Sequence, residues 1–213
     1  ASPVWLSFLL VGVLLTLQAH YIRPEYFTED FQLFPTWPVM NPELAASLFI
    51  ATMSVLLAPK ILGVLLLLRD RKTLAKFGGL IRLLPGLVIE TILSSLTAPV
   101  MMLIQTTAVI GVLAGRDVGW RTQRRSDEQI PFSEILYRHR RHTALGALIG
   151  IAAYLVSPEL LLWMSPVVVG LLLAVPVSGL GASRRVGRFF ARLGLLQTPE
   201  ESDPPAVLAR SRQ

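Results

Sequence analysis

The sequence predicts an all-α fold: a polytopic transmembrane helix bundle of about six spans in three helical pairs, with interfacial helices between them. Three observations carry that prediction. Of 213 residues, 53% are hydrophobic and 16% charged, with a mean hydropathy of +0.57, whereas a soluble domain carries about 25% charged residues. The apolar residues are gathered into four tracts, each close to or beyond the roughly 20 residues that cross a bilayer as a helix. The basic residues collect between those tracts with a consistent sidedness, which is how loops facing the cytoplasm are marked. Composition also excludes chemistry. The chain has no cysteine, so disulfide scaffolds, thiolate zinc sites, iron–sulfur clusters and cysteine nucleophiles are ruled out. With His20, His139 and His142 as its only histidines, no metal site is expected.

The elements follow in chain order. Ala1-Ser2-Pro3 runs straight into apolar sequence, without an initiator Met or a basic leader, and reads as the interior of a longer protein. Val4 to Ala19 gives a first span at 4–20. Leu44 to Leu68, interrupted only by Lys60, gives a second at 44–68. Leu83 to Ala114 holds Glu90, Pro85 and Pro99. It is too long for one crossing and short for two, and reads as a tight hairpin, 83–98 and 99–114, turning near Ala98-Pro99; a re-entrant segment is the alternative. Ala144 to Leu180 reads as a second hairpin, 143–156 and 160–180, turning near Ser157-Pro158-Glu159. Residues 1–182 thus form the transmembrane domain, with a cytoplasmic loop at 115–142 and a cytoplasmic tail at 183–213.

Charge placement gives the sidedness. The His20–Glu43 loop sets Arg23 against Glu25, Glu29, Asp30 and Glu43, and is expected outside. Arg69–Arg82 carries five bases against Asp70; Gly115–His142 carries seven arginines against four acids; the tail carries six arginines from Arg184 onward. All three are expected inside, so the third and fourth tracts must each cross an even number of times. The formal net charge of +6 is then a record of orientation, not a sign of nucleic acid. Surface helices are expected over Glu134–His142, with Ser133 at its start and Ile135, Leu136 and His139 toward lipid headgroups, and over Arg71–Leu84, broken at Gly78-Gly79.

Several residues invite a chemical reading. Lys60 and Glu90 each sit eight residues inside a cytoplasmic boundary, roughly 12 Å deep at helical rise, and charges in a bilayer are usually paired. They are expected to form a structural ion pair; the alternative is that Lys60 snorkels and Glu90 is protonated or bonded elsewhere. Gly111-x-x-x-Gly115 and Gly146-x-x-x-Gly150 have the spacing that lets helices approach closely, though glycine-rich chains produce it by chance. Thr28-Glu29-Asp30 is a solvated acidic loop on the outer side and is not catalytic. The stretch Gly115–Glu128, GRDVGWRTQRRSDE, is the richest polar segment. Arg121, Arg124 and Arg125 can clamp a diphosphate through forked guanidinium contacts, and Trp120 offers a face to a base or sugar. The competing reading is topological: arginines inside and a tryptophan at the interface.

Arg23-Pro24-Glu25-Tyr26-Phe27, Leu33-Phe34-Pro35-Thr36-Trp37-Pro38, Ala98-Pro99-Val100, the Gly115–Arg125 loop and Thr198-Pro199-Glu200-Glu201 resemble, in order and along nearly the whole chain, a known family. It is the carboxy-terminal membrane region of the inner-membrane glucosyltransferases of osmoregulated periplasmic glucan synthesis, which are cellulose-synthase-like members of glycosyltransferase family 2. The resemblance implies an enzyme that takes glucose from UDP-glucose at a cytoplasmic domain, with a divalent metal (Mg) there, and extends a β-glucan. The partners it implies are UDP-glucose, the growing β-glucan, the lipid bilayer and a periplasmic glucan-modifying protein. The family's aspartate motifs, Thr-Glu-Asp base and Gln-x-x-Arg-Trp precede these helices. This chain has no Asp-x-Asp and no Gln-x-x-Arg-Trp, so no catalytic residue is expected in it, and alone it is expected to be inactive. Related cellulose synthases place a gating loop where Gly115–Glu128 lies, which makes Trp120, Arg124 and Arg125 the candidate substrate-binding residues, although the Phe-x-Val-Thr-x-Lys pattern is missing. Trp5, Phe8 and Phe49 are candidates to line a glucan channel, against ordinary lipid contact. Two other function classes remain open on the residues: a transporter or permease, against which the lack of an internal repeat counts, and a structural membrane subunit.

Overall fold

A computed structural model describes residues 2–22, 42–116, 130–198 and 200. Among the described residues every regular element is an α-helix: α1 (Ser2–Tyr21), α2 (Pro42–Arg69), α3 (Arg71–Lys76), α4 (Leu80–Leu113), α5 (Phe132–Val156), α6 (Pro158–Leu172), α7 (Ala174–Gly181) and α8 (Arg184–Leu193). The all-α expectation holds. Two helices are long and apolar enough to cross a membrane, within Ala46–Arg69 and Leu80–Leu113, and a third if α6 and α7 are taken as one bent element. Among the described residues six spans are not confirmed.

The main correction concerns the third tract. There is no turn at Ala98-Pro99, and α4 runs unbroken for 34 residues from Leu80 to Leu113, about 51 Å at 1.5 Å per residue. In a soluble helix an interior proline removes one hydrogen bond and crowds the preceding turn. In apolar helices it is tolerated, because neighbouring helices and Ser/Thr side chains take up the freed backbone groups. The carbonyl that Pro99 leaves without an amide donor is that of Ser95; the nearby hydroxyls of Ser95 and Thr97 donate instead to the carbonyls of Thr91 and Leu93, at 2.8 and 2.9 Å. A continuous α4 also removes the even crossing on which the sidedness of its two flanking loops rested.

Gly115 ends α4. At φ +70 it allows the Gly115 amide to donate to the Val112 carbonyl (3.0 Å) and the Arg116 amide to the Gly111 carbonyl (2.9 Å), a Schellman closure that glycine enters without steric cost. Among the described residues Gly111-x-x-x-Gly115 therefore serves as a helix end and not as a helix contact. Nothing lies within 4 Å of a Cβ added at either glycine.

The second correction is α5. The arginine-rich stretch is not a separate surface helix. It is the first part of a 25-residue helix that begins at Phe132 with Pro131 at its cap, not Ser133. Pro131 has extended backbone, and its carbonyl accepts from the amides of Glu134 (3.0 Å) and Ile135 (3.3 Å). Ile135 is 5% exposed, so it packs inward instead of meeting headgroups.

The fourth tract does turn at Ser157. Its extended backbone closes α5, its hydroxyl accepts from the Glu159 amide at 3.1 Å, and Pro158 takes the first helical position, where its missing N–H costs nothing. The α6–α7 axis then bends by 50° at Leu173. Pro176 sits four residues after Leu172, so it can neither donate to that carbonyl nor avoid crowding it.

The described residues fall into two compact units, 2–22 with 86–116 and 130–193, and 42–85 with 194–198 and 200. In the first, α5 and α6 form an antiparallel hairpin. A Cβ on Gly146 would lie 2.7 Å from the Leu171 Cβ and 2.9 Å from the Leu172 amide nitrogen, and one on Gly150 would lie 3.0 Å from Val168. Ala153, Leu160, Met164 and Val168 form one buried cluster, joined by Leu9 and Val13 of α1. Val100, Leu171 and Ala174 form another, with Leu103 beside it. Pro99 and the Leu96 carbonyl press on Gly170, where a Cβ would come within 2.8 and 2.7 Å. The Ser2 hydroxyl donates to the side-chain oxygen of Gln105.

In the second unit α3 is set by Asp70. Its carboxylate accepts from the amides of Lys72 (3.0 Å) and Thr73 (3.2 Å) and from the Thr73 hydroxyl (2.6 Å). These bonds, the Thr73 hydroxyl first, hold Asp70 below the ordinary carboxylate range. Gly78 and Gly79, both at positive φ, provide the expected break before α4. Gly194, at φ +68, lies against the Arg82 guanidinium.

Candidate functional site

The candidate site is the segment joining α4 to α5. Trp120, Arg121, Arg124 and Arg125 lie outside the described residues, as does Thr28-Glu29-Asp30. What the structure does define is the two anchors of that segment. One is the Gly115–Arg116 closure of α4. The other is the first two turns of α5, where the basic side chains are ordered by their neighbours. Arg138 donates to Glu134 Oε1 through Nη2 at 2.7 Å and Nε at 3.1 Å, an i,i+4 pair on the helix surface. Arg140 stacks over the Tyr137 ring at 4.5 Å. A helix start also presents amides toward the segment and favours anions there.

His139 and His142 lie one turn apart with ring centroids 5.4 Å from each other. Burial holds His139 below the ordinary histidine range, and the neighbouring charges of His142 and Arg138 push the same way. His139 therefore adds little positive charge at neutral pH. Among the described residues no group of three or more His, Asp or Glu side chains is placed to hold a metal.

Glu90 accepts a hydrogen bond at its carboxylate from the Ser94 hydroxyl, which also donates to the Glu90 carbonyl. Lys60, in α2, belongs to the other compact unit. Trp5 and Phe8 stand edge to face at 6.2 Å on α1, and both are exposed. Sequence reasoning missed the crossing of Pro99 over Gly170. The signal was present as a glycine and a proline in two apolar tracts, but nothing in the sequence pairs them. It also missed α8, whose apolar and basic residues were read only as tail.

Against known proteins, the chain is 50% identical over all 213 residues to a protein of Shewanella sp. (strain ANA-3), 51% identical over 208 residues to one of Vibrio cholerae, and 52% identical over 209 residues to one of Rhodopseudomonas palustris. Each of these is a glucans biosynthesis glucosyltransferase H. The matches cover 98–100% of this chain but only 28–29% of each relative, so the chain spans less than a third of their length. The resemblance drawn from the sequence is borne out. No family model matches and no solved structure matches.

Proposed function

We propose that this chain is the membrane-embedded part of a glucosyltransferase that uses UDP-glucose to build the β-glucan backbone of osmoregulated periplasmic glucans. The observation that supports this best is the identity of about half the residues along the entire chain with proteins of that name. On this reading the apolar helices are scaffold and channel in the bacterial inner membrane. Glucosyl transfer and its divalent metal belong to the remainder of the longer protein, since the aspartate and Gln-x-x-Arg-Trp motifs are absent here.

The α4–α5 segment is the gating loop on this reading. Closure would bring Trp120 onto the uracil or glucose face and Arg124 and Arg125 onto the diphosphate, whose two charges a pair of forked guanidiniums neutralises. Water exclusion on closing would strengthen each of these contacts.

Membranes carrying the full reading frame are expected to incorporate label from UDP-[14C]glucose, and membranes carrying this segment alone are not. In the full enzyme, Trp120→Ala and Arg124→Ala are expected to raise the UDP-glucose KM or lower kcat by about tenfold each, the effect of losing one charge-assisted or stacking contact of roughly 1.4 kcal/mol. Wild-type kinetics in both variants would remove the gating assignment while leaving the glucosyltransferase assignment standing.

A further inference from the structure

Helix α8, Arg184–Leu193, has the sequence RRVGRFFARL. At 3.6 residues per turn, Arg184, Arg185, Arg188 and Arg192 fall within an arc of about 100°. Val186, Phe189, Phe190 and Leu193 fall within a second arc of similar width, centred about 135° away. The apolar arc is itself divided. Val186 and Phe190 are half-buried, while Phe189 and Leu193, on the side nearer the arginines, are 59% and 48% exposed. The two phenyl rings meet edge to face at 5.7 Å, which fixes Phe189 in its outward position. No acidic residue lies in the helix.

Only Ala182 and Ser183 separate α8 from α7, the end of the bent apolar pair that is long enough to cross a membrane. A helix starting two residues past such a pair begins at the level of the headgroups. There an exposed Phe and Leu flanked by arginines meet the two layers that suit them, acyl chains and phosphates. We propose that α8 is an interfacial helix that docks on an anionic phospholipid surface, with Phe189 and Leu193 entering the acyl boundary and Arg185, Arg188 and Arg192 binding lipid phosphates. Charge decides the partner: three to four cations and no acid along one face are complementary to acidic lipid and indifferent to zwitterionic lipid.

The absence of native cysteine gives a clean test. The whole chain carrying Phe189→Cys or Gly187→Cys is labelled with a nitroxide and reconstituted into phosphatidylcholine vesicles with or without phosphatidylglycerol. Gly187 lies on the opposite side of the helix and a Cβ there meets nothing within 4 Å. With phosphatidylglycerol, the label at 189 is expected to be several-fold more accessible to oxygen than to a water-soluble nickel chelate, and the label at 187 the reverse. In pure phosphatidylcholine the shielding at 189 is expected to fall. The R185Q/R188Q/R192Q variant is expected to lose it in both lipids and the corresponding Arg→Lys variant to keep it. Equal nickel accessibility at 187 and 189 in acidic vesicles overturns the proposal. So does shielding at 189 that is indifferent to lipid charge and to the glutamine substitutions, since Phe189 would then be covered by protein.

Discussion

The α5–α6 hairpin and α2 are both apolar helical elements, yet their surroundings differ completely. In the hairpin, Gly146 and Gly170 each admit a neighbouring helix to a distance at which a methyl group would collide, and at Gly150 it would press on Val168 at 3.0 Å. In α2, Gly63 has nothing within 4 Å, and Leu48, Ile50, Val55, Leu62 and Leu66 are all exposed. Hydrophobicity places a helix in a membrane but gives it no reason to prefer another helix over lipid, because acyl chains are as apolar as leucine. Close approach through small residues is what converts proximity into packing. The hairpin is held by shape, whereas α2 presents its apolar side chains outward.

The largest expected effects are at the glycine notches, and they test that difference directly. Gly170→Val and Gly146→Val force side-chain atoms against the Leu96 carbonyl and the Leu172 backbone, where nothing can rotate away. Each is expected to cost about 1–3 kcal/mol. Gly63→Val in α2 is expected to stay within about 0.5 kcal/mol, as substitutions away from packed features do. Equal losses at Gly63 and Gly170 would erase the distinction between the two regions.

The smallest effect is local. Because the Asp70 pKa is depressed by its bonds to Thr73 and Lys72, the contribution of the cap is present above the ordinary carboxylate pKa. It is lost as pH falls through the lower folded value. Amide exchange at Lys72 and Thr73 is expected to be slow at neutral pH and to accelerate, relative to intrinsic exchange, only below the ordinary carboxylate range. Asp70→Ala is expected to show fast exchange throughout. An unchanged pH response in that variant would mean that α3 is held by something other than its cap.

The comparison also marks what could be read in advance. The break at Ser157 was legible because a polar residue before Pro158 and Glu159 matches a helix start chemically. The continuity of α4 through Pro99 was not, since whether a proline breaks a helix depends on which neighbours take up the carbonyl it leaves. The two glycine pairs look alike in sequence and part ways in space: Gly146 and Gly150 face α6, whereas Gly115 terminates α4 in a left-handed conformation. For the candidate site, the arginines and Trp120 were visible as residue types. Their anchors, a Schellman closure and a proline-capped helix carrying the Glu134–Arg138 pair, needed backbone geometry to be seen.

The sequence by itself determined that this protein is helical and suited to a membrane, and which known glucosyltransferases it resembles. Those properties are sums over residues, apolar area and matched identities, and a sum survives without coordinates. Tertiary structure decided which glycines are contacts, that Pro99 seats against Gly170, and that Phe189 is left outward beside a row of arginines. Each of those depends on which side chains share a point in space, and van der Waals exclusion at a few tenths of an ångström has no counterpart in the order of residues along a chain.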